Sequence, residues 1–345
     1  MNLVRSPVFN RLAYVAAWPM VHRFFAGLQL RHALTKTAWL NSMGFGAIID
    51  YIGEDISDKT EIIKTGVAYQ HLIDGVHGQK LLADVSMKPS QYGIHEPRTV
   101  WRHGVWQKDF PEISQVLERA HLSGVRPWLD AELLKSRRDT WLLAKEVHRH
   151  NDFVGVALQA YGTGEFDSIE FFDNVLPHYV EYLPKGKILG LRLCKGAYTS
   201  SEQSILRDSN EIRERFSALC ERALELTAWS QKRGKGILYP EFATQDLWAI
   251  DELKRETRRR NIHPSWFRFA MLLGRQRNSA SHLVAEGFTL FVYVPVGIIW
   301  IPYFGRRIKE KPEYALAPFS LEGKYHRCES WPESCRARSI LSRFR

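Results

Sequence analysis

The chain has 345 residues, enough to bury a barrel-sized core, and its 45% hydrophobic and 25% charged residues exclude a disordered or fibrous protein. Forty-eight basic residues against 38 acidic ones give a formal net charge of +10, which admits nucleic acid, anionic lipid or acidic small molecules without selecting among them. Four cysteines (Cys194, Cys220, Cys328 and Cys335) are too few for a disulfide scaffold and read as free thiols in a reducing compartment. The six residues between Cys328 and Cys335, with His326 nearby, match no usual zinc spacing.

The charge is unevenly spread. No Asp or Glu precedes Asp50, whereas Arg5, Arg11, Arg23, Arg31 and Lys36 do. Arg5, Asn10 and Arg11 interrupt the opening before an apolar core forms, so no secretory signal is expected. The acid-poor start has the charge of an organelle transit peptide without its serine content. Residues 8–42 read as one or two helices ahead of the first strand. Within them Trp18, Phe24 and Phe25 mix with His22 and Arg23, a composition suited to an anionic bilayer interface or to a helix packed on the domain. Both readings stand for residues 1–25, and packing suits residues 26–42 better.

From about residue 46, short apolar runs alternate with amphipathic stretches. Strands are predicted at residues 46–54, 81–88, 126–132, 154–161, 188–195, 236–245, 266–274 and 289–297. Several are nearly continuous apolar runs, as strands of a parallel sheet buried on both faces should be. Helices are predicted over 139–150, 212–230 and 247–260 from apolar residues at helical spacing. Eight strand–helix units point to an α/β fold, a (β/α)8 barrel over residues 46–320, with an N-terminal helical segment (1–45) and a basic, loosely ordered tail (321–345). A doubly wound sheet would place a glycine-rich turn after its first strand, whereas Gly44 and Gly46 stand just before and at its start. The apolar run 288–304 is short for a membrane span and holds Pro295, Gly297 and Pro302; a buried strand and turn are expected instead.

Polar residues gather at the predicted strand ends: Glu54, Lys88, Asp130 with Glu132, Gln159 with Tyr161, Lys195, and Thr244 to Asp246, while Tyr293 lies within the eighth. In a barrel these ends converge at the catalytic face. If Pro302 opens a helix, Tyr303, Arg306, Arg307 and Glu310 fall along one of its faces. Two guanidiniums flanked by a phenol and a carboxylate make a carboxylate clamp; an isolated arginine pair would otherwise read as a solvated basic face.

These residues carry a resemblance. The stretch YVPVG (293–297), followed by YxxRRxxE (303–310), resembles the signature of proline dehydrogenases. In the family's order, YIGED (51–55), VSMKPSQYG (85–93), WLDAE (128–132), VGVALQAY (154–161) and LRLCKGAY (191–198) resemble its other motifs, so the likeness spans about residues 26–320. It implies a distorted barrel that holds FAD non-covalently and oxidises L-proline to 1-pyrroline-5-carboxylate by hydride transfer. By that likeness Arg306 and Arg307 bind the proline carboxylate with Lys88, and Tyr303 packs on the proline ring. Glu310 pairs with an arginine and Asp130 supports Tyr293. Gln159, Arg192, Lys195, Gly196, Ala197, Tyr198, Thr244 and Gln245 line the FAD site. A quinone or other acceptor would take the electrons, and a separate pyrroline-5-carboxylate dehydrogenase would take the product, since nothing resembles the additional domains of the bifunctional enzymes. The expected location is the cytoplasm, with peripheral contact to the inner face of the membrane left open.

Three places depart from the family pattern. The sixth strand, usually ending FATH, ends with Gln245; the seventh, usually FEFQ, has Arg268 and Ala270; and Thr199-Ser200 replaces a bulky residue after the KGAY motif. These departures support an alternative reading, a non-catalytic barrel acting as a binding or regulatory protein. The retained Lys88, Asp130, Tyr293, Tyr303, Arg306, Arg307 and Glu310 oppose it. No motif supports nucleic-acid binding, and the arginines at 258–260 read as cations complementing a helix C-terminus.

Overall fold

The computed structural model describes residues 7–95, 106–196, 203–274 and 277–310, with side chains for all but residues 7, 16, 18–20 and 306–310. The expected basic tail at 321–345, with Cys328 and Cys335, lies outside the described residues.

Eight parallel strands close into a barrel in sequence order: β1 (Gly46–Tyr51), β2 (Ala83–Met87), β3 (Pro127–Leu129), β4 (Phe153–Gln159), β5 (Ile188–Cys194), β6 (Ile237–Ala243), β7 (Arg268–Leu272) and β8 (Leu290–Val296). All eight coincide with predicted strands, each shorter than its apolar run. The third shrinks most in proportion: its pairing ends at Leu129, and the Asp130 N–H makes one further bond to Met87 O at 2.9 Å. Helices α1 (Pro7–Val21) and α2 (Leu30–Ser42) precede the barrel. Around it lie α3 (Lys59–Gly78), α4 (Trp106–Asp109), α5 (Pro111–Leu122), α6 (Arg137–His150), α7 (Ser168–Tyr182), α8 (Ser209–Arg233), α9 (Leu247–Arg259) and α10 (Arg277–Ala285), and α11 (Ile301–Glu310) follows β8. Pro302 occupies the second helical position of α11, where its missing N–H costs nothing. Several helices start on a side-chain cap: Asp58, Asp167, Asp208 and Asp246 each accept from a backbone N–H in the first turn.

Alternation along the strands divides the core in two. Ala47, Ile49, Val85, Val154, Leu189, Leu191, Phe242 and Val292 face outward into one large apolar layer beneath the helices. Inside, Trp128, Phe153, Ile188 and Tyr239 fill the lower barrel, and Ile48, Ala270 and Phe291 pack near its centre. Two of the inner rings need glycine opposite them. A Cβ on Gly155 would lie 2.3 Å from the Trp128 ring, and one on Gly46 2.5 Å from Phe291.

The N-terminal segment is tied to the end of β8. Gly27 bridges Val296, the Ala26 N–H donates to Pro295 O at 2.9 Å, and the Gly297 N–H donates to Gly27 O at 3.1 Å. Tyr14, Phe24 and Phe25 then pack with Trp300, Tyr303 and Phe304 in a second apolar cluster, where the indole N–H of Trp300 donates to Asn10 O at 3.0 Å. Packing against the domain is thus the observed fate of residues 26–42 and of the inner face of α1. On its outer side Val8, Leu12 and Val15 are exposed. Among the described residues, no helix is long and apolar enough to cross a membrane.

Gly155→Ala is expected to destabilise the protein by about 1–3 kcal/mol, because Trp128 is fully buried and cannot retreat. Urea unfolding checks this: a shift of the midpoint with an unchanged slope is expected, and an unchanged midpoint would contradict the packing argument.

Candidate active site

Inward positions on β5, β6 and β7 meet at one level, because Arg192 pairs in register with Glu241 and Glu241 with Arg268. All three side chains are buried. Glu241 takes Arg192 Nε on Oε1 and Arg268 Nε on Oε2. Arg192 Nη1 reaches across to Asp130 Oδ1 and, at 2.9 Å, to Ser86 Oγ. Arg268 Nη2 lies 2.6 Å from Asp84 Oδ2, which also accepts from the Trp128 indole at 2.9 Å. The result is a continuous line of alternating charge from Asp84 through Arg268, Glu241 and Arg192 to Asp130. The Trp128 ring lies under both guanidiniums, at 4.7 Å for Arg192 and 5.0 Å for Arg268.

Asp130 connects this line to the strand ends. Its Oδ2 accepts from the Tyr293 hydroxyl at 2.5 Å and its Oδ1 from Ser86 Oγ at 2.7 Å. Beside it, Lys88 Nζ pairs with Asp50 Oδ1 at 3.1 Å, both groups buried. Burial pushes the Asp50 carboxyl up, against the opposing pull of Lys88. Burial, with Asp130 and Asp50 adding to it, holds the Tyr293 phenol well above its ordinary range, so it remains a hydrogen-bond donor. Burial works against the charge on Arg192, but Glu241 and Asp130 outweigh it and keep the guanidinium protonated.

The expected cofactor-binding residues lie at the ends of β4 to β6. Gln159 is buried and donates to Glu132 O at 2.8 Å and to the Tyr161 hydroxyl at 3.3 Å. Lys195 Nζ pairs with Asp246 at 2.6 Å, and Arg213 Nε joins the same oxygen at 2.9 Å. Thr244 Oγ1 accepts from the Asp246 N–H at 3.2 Å, and Gln245 sits half-buried between them. Gly196 has φ +118°, and a Cβ there would strike the Tyr161 ring at 1.9 Å, so both conformation and space demand glycine. Ala197 and Tyr198 lie outside the described residues. Tyr303 is buried between α1 and α11. Arg306, Arg307 and Glu310 belong to the last turns of α11, where only the backbone is described.

The structure therefore brings Lys88, Asp130, Arg192 and Tyr293 into one buried array and places Gln159, Lys195 and Thr244 beside it. Sequence reasoning missed Asp50, Asp84, Ser86 and Glu241. Their signal was present: Asp50 and Glu241 are carboxylates within apolar strand runs, at inward positions where a charge must find a partner. Arg268, read as a departure from the family pattern, proves to be integrated into the barrel by two carboxylates. The arginines ending α9 are likewise engaged, with Arg258, Arg259 and Arg260 pairing with Glu286, Glu256 and Glu225.

Glu132, just past β3, accepts from both the N–H and the hydroxyl of Ser90, and burial raises its carboxyl from 4.5 to about 7. Between those values the folded chain keeps a proton that the unfolded chain has lost, so stability should fall as pH rises through that window and level off above it. Glu132→Gln should flatten that part of the profile, worth at most about 3 kcal/mol. Unfolding free energies at the two ends of the window check this; an equal slope in the variant would contradict it.

Residues 33–313 match the proline dehydrogenase family. Proline dehydrogenase 1 of Bacillus subtilis is 26% identical over 301 residues, 87% of this chain and 89% of the relative. The proline dehydrogenase of Deinococcus radiodurans is 26% identical over 320 residues, 91% and 94% of the two chains. Among solved structures, the proline utilization A protein of Bdellovibrio bacteriovorus superposes with a TM-score of 0.73 at 19% identity. That match covers 92% of this chain but 35% of the longer neighbour, and at this identity it speaks for the fold. With the family match extending from α2 to just past α11, over the whole barrel, the chain belongs to the proline dehydrogenase family.

Proposed function

We propose that this protein oxidises L-proline to 1-pyrroline-5-carboxylate, with FAD as the hydride acceptor. The observation that carries this reading is the array of Lys88, Asp130, Arg192 and Tyr293 inside the barrel, in a chain whose last described helix bears Tyr303, Arg306 and Arg307.

FAD suits the residues present. Arg192 is a buried, permanently charged guanidinium whose Nη2 has no hydrogen-bond partner among the described residues, a donor placed for an acceptor on a ligand. Ala243 and Ala270, register partners on β6 and β7, are small where a flat ring would need room. Gln159, Arg192, Lys195, Gly196, Ala197, Tyr198, Thr244 and Gln245 would hold the cofactor. When bound, FAD supplies a two-electron acceptor for the hydride on the carbon beside the proline nitrogen, and a cation near its ring favours the reduced form.

The protein's own groups bind and orient. Arg306 and Arg307 would clamp the substrate carboxylate, each guanidinium matching two oxygens, and Lys88 would add a third cation. Tyr303 would limit the space against the ring and disfavour hydroxylated analogues. Asp130 holds the Tyr293 hydroxyl in place, which fixes one wall of the substrate position. Orientation of this kind contributes by removing the entropy cost of reaching the reactive arrangement. Hydride leaves most readily from the neutral amine, so turnover should rise from neutral to mildly alkaline pH. The electrons would pass on to a quinone or another acceptor, and a pyrroline-5-carboxylate dehydrogenase would consume the product.

The non-catalytic alternative drew on Gln245, Arg268 and Ala270, the last two of them on β7. Neither of those two leaves an unsupported gap, since Arg268 is ion-paired twice and Ala270 packs with Ile48 and Phe291.

Purified protein should show a flavin absorbance spectrum that L-proline bleaches without oxygen and that glycine and hydroxyproline leave largely unchanged. Protein that stays colourless after incubation with FAD would overturn the reading. Arg307→Met should raise KM for proline about 10- to 100-fold, the loss of one charge-assisted carboxylate contact. An unchanged KM in steady-state assays would remove Arg307 from the clamp.

A further inference from the structure

Arg268 stands where the family pattern carries a glutamate, and its surroundings give the exchange a purpose. A guanidinium presents its Nε–H and Nη2–H side by side, a fork that one carboxylate ordinarily fills with both oxygens. Glu241 is the carboxylate at that edge of Arg192, yet it delivers only Oε1, to Nε, because Arg268 Nε holds Oε2. Arg192 Nη1 is committed to Ser86 and Asp130. Nη2 is left buried with no hydrogen-bond partner among the described residues. Arg268 is itself immobilised: Asp84 Oδ2 lies 2.6 Å from its Nη2, and its guanidinium sits 3.8 Å from the centroid of the Phe291 ring.

We propose that Arg268 is a positioning residue: by holding one oxygen of Glu241, it keeps the Nη2–H of Arg192 open for an acceptor atom of the bound flavin. This rests on the FAD reading above. Charge acts in the same direction. Asp84, Glu241 and Asp130 against Arg192 and Arg268 leave the line at −1. Replacing Arg268 by a neutral residue makes it −2 and frees Glu241 to close over both N–H groups of Arg192. Both consequences weaken the hold on FAD and disfavour its reduced, more negative form. Replacing Glu241 by glutamine in that background restores −1 and removes the carboxylate that would close the fork.

The test compares R268M and the double variant R268M/E241Q with the wild type. The readouts are FAD affinity, by quenching of flavin fluorescence on titration of the apoprotein, and the flavin midpoint potential, with urea unfolding as a control for folding. R268M is expected to bind FAD about tenfold more weakly and to favour the oxidised flavin by about a further tenfold, about 30 mV for a two-electron couple. The double variant should recover most of both losses. Unchanged affinity and potential in R268M, or a double variant no better than R268M, would overturn the proposal while leaving the flavin reading intact. A wild-type protein that takes up no FAD would overturn both. If R268M does not fold, R268K decides: it keeps a cation against Glu241 and should stay within about twofold of the wild type, whereas a tenfold loss in folded R268K overturns the proposal.

Discussion

The barrel of this protein is organised around buried charge. Five acidic and basic side chains, Asp84, Arg268, Glu241, Arg192 and Asp130, alternate through its interior, contributed by β2, β7, β6 and β5 and by the residue after β3. Taking any one of them out of water alone would cost several kcal/mol, so each is tolerable only while its neighbours stay in place. Strand register supplies that condition. Arg192, Glu241 and Arg268 occupy paired positions on three adjacent strands, and a slip of one residue would turn one of them out toward the helices. The line thereby links strands on opposite sides of the barrel and makes its interior specific, not merely apolar.

Around this line the apolar side chains sort by alternation. The outward residues merge into one layer under the helices, and the inward ones split into small clusters that leave room for polar groups. Trp128 mediates between the two chemistries. Its ring fills the space left by Gly155 and Gly190, underlies two guanidiniums, and its N–H completes Asp84. Large, rigid and amphipathic, it suits a position that must be apolar on one side and polar on the other.

Function follows from how the strand ends are finished. Asp130 belongs both to the charged line and to the surface above it, because one oxygen meets Arg192 and Ser86 while the other holds Tyr293. The rest of the proposed substrate site arrives on α11, whose approach is set by the N-terminal segment: residues 26 and 27 pair with the end of β8, and Tyr14, Phe24 and Phe25 seat Trp300, Tyr303 and Phe304. The first and last described elements of the chain thus meet, so the helix before the barrel sets the seat of the helix that carries the proposed carboxylate clamp.

The amino-acid sequence determined the architecture because the signals for it are local. Eight apolar runs, too short and too continuous for surface helices, with amphipathic stretches between them, require a parallel sheet covered by helices, and the ordered motifs identify the family. Residues such as Asp130, Arg192 and Tyr293 could be singled out because they lie in recognisable motifs. Asp50, Asp84 and Glu241 could not, since a carboxylate inside an apolar run acquires meaning only from a partner about 27 to 184 residues away in the chain, and no local pattern encodes such a distance. Arg268 shows the difference most clearly. In sequence it is a departure from a family pattern; in the folded barrel, with Asp84 on one side and Glu241 on the other, it is a paired charge that leaves one edge of Arg192 unspent. That outcome was decided by closure of the barrel, which brings β7 against β6 and across from β2.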